Sequence, residues 1–314
     1  MPLAASGGAM IEFWRGCANA WECDELGHLN VRFYLAKAWE AVGDLADRIG
    51  MPGAFGPGSV ATLLPGEIVI RYLSEVHPGT PLLIEGAVID VKSKTARICL
   101  IVRNAASGQI AAIFQITLRH CVAGRRKSFD WPERILKKLE ALQGALPQEA
   151  PPRSLSDARA RKVIRLQDAD ALNLTEIGRG RINPEDCGPF GQLMPEHLQG
   201  KISNAAANFS EAFPEQTAAH ASGEIRMGGA LLEGRICVRR WPTIGDGYVI
   251  RSGVQNADRN VRSIIHWVFD RRGRLLWSMQ GIAAIMDLSA RKLIKADDDT
   301  LAALHSVCKP DLSL

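Results

Sequence analysis

The sequence predicts an α+β protein built as two tandem copies of one unit, each an antiparallel sheet wrapped around one long helix. Three observations carry this reading. Residues Arg15–Asn30 align with Arg179–Met194 at a constant offset of 164, with Arg, Gly, Asn, Cys, Gly and Leu identical among sixteen positions. Each segment precedes a helical pattern, and each helical pattern precedes a run of strands bounded by turn residues.

In the first copy, apolar residues at 31, 34, 35, 38, 42, 45 and 49 recur every three or four positions, which predicts a helix with one buried face. Gly50 stands where such a helix ends in left-handed backbone. Strands are then predicted over Glu67–Glu75, Pro81–Val91, Ala96–Arg103 and Ile110–Val122, with turns at 77–80 and 106–108. The second copy predicts a helix near Pro195–Phe209 and strands near Leu232–Arg240, Tyr248–Asn256, Val261–Asp270 and Leu275–Met286. Residues 131–172 read as a linker, with a short charged helix over Glu133–Leu142 and a proline-rich stretch at 147–152 that excludes regular structure. The expected organisation is an N-terminal domain at 1–130, this linker, a C-terminal domain at 173–290 and a tail at 291–314. Two such units can pair within one chain as a homodimer would, with further dimerisation left open.

Composition narrows the function classes. The 314 residues carry 38 Lys+Arg against 34 Asp+Glu, a net charge of +4, with the basic residues scattered among acids. No continuous basic stripe points to nucleic acid. No apolar run is long enough for a membrane helix, and the N-terminus lacks the charged and apolar blocks of a signal peptide, so a soluble cytoplasmic protein is expected. Seven cysteines, an odd number with no C-x-x-C pair, read as reduced and mostly buried. The seven histidines show neither H-x-x-x-H nor H-E-x-x-H, and no metal is expected.

The segment Trp21–Asn30, WECDELGHLN, lies directly before the first predicted helix. It resembles the D-x-x-G-H-x-N signature of hotdog-fold acyl-CoA thioesterases of the 4-hydroxybenzoyl-CoA thioesterase type. The resemblance covers residues 11–122 well and 179–287 more faintly. It implies a double hotdog that hydrolyses an acyl-CoA thioester to free acid and CoA, with no cofactor beyond the CoA of the substrate. It further implies that Asp24 acts as nucleophile on the carbonyl carbon or as base for water, and that the Val31 N–H holds the carbonyl oxygen. Gly27, His28 and Asn30 would line the substrate site. The physics of the oxygen site is independent of the family: the first N–H groups of a helix have no intrahelical acceptor and carry the positive end of its dipole.

The second copy has Gly188 where the first has Asp24, Gln192 for His28, Met194 for Asn30 and Pro195 for Val31. Proline suits a first helical position but has no N–H to offer a carbonyl. One active site per chain is expected, in the N-terminal half, with the other half as scaffold and pocket wall.

Each candidate has a plainer reading. Asp24 can hold a turn, His28 can be structural, Asn30 is a natural N-cap, and Gly27 with its match Gly191 suits a tight backbone turn. Glu40 and Asp44, rival carboxylates on the helix, fall towards its solvated flank. Trp39, Trp267 and Trp277 read as core. Arg97, Arg251, Arg259 and Arg262 are candidates for the phosphates of CoA or ordinary surface arginines. The Gly- and Pro-rich stretches 51–58 and 226–230 either shape the pocket or connect elements. Two rival functions stand beside hydrolysis: a hydratase or dehydratase, whose G-D-x-N-P-x-H pattern is absent, and a non-catalytic binder of acyl-CoA or acyl carrier protein.

Overall fold

The computed structural model describes residues 10–161, 163–217, 227–290 and 292–314. The chain divides into two compact units, the first reaching Pro151 and including Gly188–Gly191, the second comprising Pro152–Cys187 and Gln192–Leu314. Among the described residues no helix is long and apolar enough to cross a membrane.

The first unit opens with β1 (Ile11–Cys17) and the long helix α1 (Val31–Arg48). Four strands follow: β2 (Ala61–Tyr72), β3 (Pro81–Val91), β4 (Thr95–Asn104) and β5 (Ile110–Val122). They pair antiparallel in the order β1-β3-β4-β5-β2. Asn30 caps α1 by accepting from the Arg32 N–H at 3.0 Å, and Gly50 terminates it at φ 86°. The expected stripe of Leu35, Ala38, Val42 and Leu45 is buried, and Tyr34 meets Tyr72 of β2 edge to face at 5.3 Å. β2 begins six residues earlier than predicted and stops at Tyr72. Residues 73–80 are therefore a loop, held where Leu73 and Ser74 donate to the Ala111 carbonyl.

The second unit repeats the topology. α3 below denotes Leu166–Ala171, after α2 (Glu133–Ala141) of the first unit. Then come β6 (Thr175–Arg181), α4 (Glu196–Ser203), β7 (Met227–Val238), β8 (Gly247–Ala257), β9 (Arg262–Asp270) and β10 (Leu275–Asp287). The order β6-β8-β9-β10-β7 matches the first sheet strand for strand. The helix is shorter than predicted. α4 ends at Ser203, and Ala206–Asn208 and Ser210–Ala212 are 3-10 turns. Asparagines compete with the helical backbone: Asn208 donates instead to the Ile177 carbonyl of β6 at 2.8 Å.

The segment expected as a linker is packed structure. Trp131, Ile135 and Leu139 are buried, and Ala150 with Leu146 covers Cys99, Ile101 and Ile113 on the outer sheet face of the first unit. Arg71 and Gln115 fasten this stretch, reaching the Pro151 and Ala150 carbonyls at 3.1 and 2.9 Å. From Pro152 onward the chain belongs to the second unit. There Arg235 donates to the carbonyls of Ser156 and Ala158, and the Glu233 carboxylate accepts from the N–H groups of Arg153 and Ser154. Ile164 and Ala169 then pack with Ile265, Trp267 and Phe269. The C-terminal tail is likewise ordered, as β11 (Lys292–Ile294) and α5 (Asp298–Val307), and Leu312 and Leu314 join the same cluster.

Trp39, Trp267 and Trp277 are buried, as expected of core residues. The seven cysteines are free, but only Cys99, Cys121 and Cys237 are buried; Cys17 is exposed. Ser252 and His266 face each other across β8 and β9, with Oγ and Nδ1 2.7 Å apart. Burial pushes the His266 imidazole down to a pKa of about 4. The imidazole is thus neutral in the folded protein, while the unfolded chain binds a proton below about pH 6.5. This contribution to stability is complete above about pH 6.5 and is lost as pH falls towards 4, at up to ~1.4 kcal/mol per unit. Thermal unfolding across that window should show Tm dropping with acidity, less steeply in His266→Gln than in wild type.

Candidate active site

The motif residues are assembled by a small ladder between β1 and α1. Cys23 bridges Leu29, the Asp24 N–H donates to the His28 carbonyl at 2.9 Å, and the Asn30 N–H donates to the Glu22 carbonyl at 2.9 Å. Residues 22–24 therefore lie against 28–30, and the chain reverses within 24–28. Gly27 makes the reversal at φ 77°, its N–H donating to the Asp24 carbonyl at 3.0 Å. A Cβ there would meet nothing, so the requirement is backbone conformation, not space.

The loop is tied to the helix by charge. Glu22 turns inward to Lys37 in the middle of α1, 2.8 Å away, and accepts from the Asn19 backbone and side-chain N–H groups at 2.8 and 3.2 Å. Both charged groups are buried.

On this frame Asp24 sits half-buried. Its Oδ1 accepts from the Leu26 and His28 N–H groups at 3.0 and 3.2 Å, and its Oδ2 takes no hydrogen bond among the described residues. Asn30 is the N-cap, and Val31 is the first helical residue, its N–H without an acceptor among the described residues. All five predicted site residues thus belong to one loop and helix terminus. His28 Nε2 lies 3.2 Å from Glu75 Oε2, which the sequence reading did not anticipate. Tyr34, one turn into α1, was also missed; its phenol donates to the Ser74 carbonyl at 3.4 Å. Burial first, then the nearby Glu75 charge, pushes its pKa up, so it stays a neutral donor. Cys23 is no rival nucleophile: burial and the charges of Asp24 and Glu22 push its thiol up, away from the reactive thiolate.

The other rivals are engaged. Glu40 is exposed and accepts from the Trp14 indole at 2.7 Å, and Asp44 pairs with Arg48 at 2.6 Å. Arg251 pairs with Asp170, and Arg259 with Asp298. Arg262, expected at the surface, is buried against Glu215 at 2.6 Å. Arg97 is exposed. Of the stretch 226–230, Arg226 lies outside the described residues, and the rest begins β7.

The second copy of the repeat keeps several of these bonds at the same offset. Cys187 bridges Leu193, the Met194 N–H donates to the Asp186 carbonyl at 2.9 Å, and Gly191 has φ 68°. Asp186 pairs with Lys201 at 2.6 Å, as Glu22 does with Lys37. Burial works against ionising Asp186, but Lys201, the Asn183 N–H and His197 outweigh it and hold its carboxyl below the ordinary value. The retained acid and lysine were a signal in the sequence repeat. Two differences stand out: Gly188 and Pro195 remove the carboxylate and the terminal N–H, and Gly178 replaces Trp14. A cavity of about 540 Å³ lined by Gly178, Lys201, Asn204 and Tyr248 lies there, whereas in the first unit the Trp14 ring lies 5.2 Å from Lys37 Nζ.

Residues 18–139 match the family model of the Thioesterase-like superfamily. No curated protein matches the chain in sequence. Among solved structures, a protein assigned as an oleoyl thioesterase from Lactobacillus plantarum aligns over 89% of this chain and 97% of its own, at 11% identity and a TM-score of 0.65. An acyl-ACP thioesterase from Bacteroides thetaiotaomicron aligns over 86% and 96%, at 12% identity and a TM-score of 0.62. The 12:0-ACP thioesterase from Umbellularia californica aligns over 87% and 96%, at 12% identity and a TM-score of 0.59. At such identities the likeness establishes the fold, and it is the hotdog fold.

Removing one member of a buried ion pair strands the other charge. Glu22→Ala should therefore lower unfolding free energy by about 3–5 kcal/mol, whereas Arg15→Ala, which breaks the exposed pair with Glu12, should leave it near wild type. Urea unfolding of the two variants checks the contrast.

Proposed function

We propose that the chain hydrolyses acyl thioesters at the N-terminal loop, with Asp24 as nucleophile or base and the Val31 N–H as oxyanion donor. The carrying observation is the comparison of the two copies. If Asp24 served only to hold its turn, the turn would need it. Yet in the second copy of the repeat the Gly191 N–H donates to the Gly188 carbonyl at 2.9 Å, as Gly27 does to Asp24, with no carboxylate present. The turn forms without the acid, so the acid is free to serve chemistry.

The arrangement suits acyl transfer. Oδ1 is fixed by two N–H groups, which orients Oδ2 as the reacting oxygen. As nucleophile, Oδ2 bonds to the carbonyl carbon, the carbon–sulfur bond breaks, the thiolate leaves and takes a proton from solvent, and water cleaves the resulting anhydride. As base, Oδ2 takes a proton from the water that attacks the same carbon, the carbon–sulfur bond breaks, and the protonated carboxyl returns the proton to the departing thiolate. In both routes negative charge develops on the carbonyl oxygen, where a helix N-terminal N–H is a pre-oriented donor. His28, Asn30 and Gly27 flank the reacting groups. The substrate is a thioester of CoA; the acyl-ACP thioesterases that share the fold make acyl carrier protein the second carrier to test.

Asp24→Asn keeps the Oδ1 acceptor and loses the anionic oxygen, so the circular dichroism spectrum should be unchanged while thiol release falls by about 10²-fold or more. Near wild-type turnover of the folded variant on acyl-CoA and acyl carrier protein thioesters would overturn the assignment. Adding Gly188→Asp to Asp24→Asn should restore no measurable turnover, because Pro195 still lacks the N–H, and one such donor is worth about 10²–10³ in rate.

A further inference from the structure

We propose that His28, Glu75 and His77 form a binding site for one divalent transition-metal cation of the zinc type. The inference does not depend on the hydrolytic reading. Nε2 of His28 is 3.2 Å from Oε2 of Glu75, Nε2 of His77 is 4.0 Å from the same oxygen, and the candidate ligand atoms all lie within 4.8 Å of one another. The imidazoles stand edge to face, 5.1 Å between centroids at 62°, so two ring nitrogens and one carboxylate converge without stacking.

Three features distinguish this cluster from a surface ion pair. First, His77 Nδ1 lies 3.1 Å from the Gly27 carbonyl, which can only accept. That nitrogen is therefore a donor, so in the neutral imidazole Nε2 is the nitrogen with the lone pair, on the side of Glu75, the arrangement that a backbone carbonyl imposes on metal-binding histidines. Second, 4.0 Å is too long for a hydrogen bond between His77 Nε2 and Glu75. Zinc, with bonds of about 2.0–2.2 Å, spans such a separation after side-chain shifts of under roughly an ångström. Third, the backbone carrying the ligands is fixed. The Leu29 N–H donates to the Val76 carbonyl at 2.8 Å, and the Gly79 N–H donates to the Ala18 carbonyl at 2.8 Å, so both loops are held in register before any ion arrives.

The donor set selects the ion. Two imidazoles with one carboxylate favour zinc, cobalt or nickel over magnesium and calcium, which want oxygen ligands. Three protein ligands leave a tetrahedral ion one position for water. The sequence concealed the site because its histidines come from separate segments, 24–28 and 73–80, and form no spaced pair.

The test uses the full chain, stripped with a chelator and titrated with Co²⁺ by visible absorption and with Zn²⁺ by calorimetry. One equivalent should bind, with tetrahedral cobalt bands and no thiolate charge-transfer band. His77→Ala and Glu75→Gln should each weaken binding by about 100-fold or more, and Cys17→Ser should leave it unchanged. His77 is half exposed, so metal-free His77→Ala should unfold at the wild-type temperature. Absence of saturable binding, a thiolate band, or stoichiometric binding that survives His77→Ala would overturn the proposal.

Discussion

A carboxylate and an ammonium buried side by side, Glu22 and Lys37, are what the N-terminal site rests on. Moving two charges out of water costs several kcal/mol per ion, so such a pair persists only where geometry and extra hydrogen bonds offset it. Here Asn19 supplies two donors to the carboxylate, and the Glu22 backbone carbonyl receives the Asn30 N–H. One residue thereby binds the middle of α1 through its side chain and the cap of α1 through its main chain. The loop bearing Asp24 is thereby tied to the helix that follows it.

The second unit shows how much of this is architecture. Asp186 replaces Glu22 with a side chain shorter by one methylene, and still reaches Lys201. His197 adds a contact of 3.3 Å to the same carboxylate. The Cys187–Leu193 bridge, the Met194 N–H bond to Asp186, the left-handed glycine and the ion pair are retained, while the counterparts of the Asp24 carboxylate, the Val31 N–H and His28 are not. Frame and proposed chemistry have separate physical causes: the frame is backbone pairing plus one buried pair, and the proposed chemistry rests on a carboxylate and an N–H that the second copy lacks.

Legibility followed the same division. Features with local causes could be read: the stripe of α1, its cap at Asn30, the bounds of β3 and β5, and left-handed backbone at Gly27. Lys37 was unreadable because its charge falls on a helix face that periodicity assigns to apolar contact, and only the matching Lys201 hinted at a partner. Glu75 was hidden because the predicted strand ran on to it while the observed ladder stops at Tyr72, and His77 because it stood in a predicted turn with no ligand partner at metal-binding spacing. The packing of 131–172 was hidden because a proline-rich composition excludes regular structure without excluding burial. Arg262 shows the limit of charge as a guide to exposure, because a paired guanidinium can be core.

Arg71 and Arg235 occupy the same place in the repeat, and each grips the connecting chain that lies on its own sheet. The connection is therefore two half-covers joined end to end, not a spacer between finished domains. Anyone dividing the gene into fragments, or grafting one half onto another scaffold, has a natural seam between Pro151 and Pro152. A cut at residue 130, which sequence composition recommends, would strip Ile101 and Ile113 of Ala150 and leave that sheet face wet.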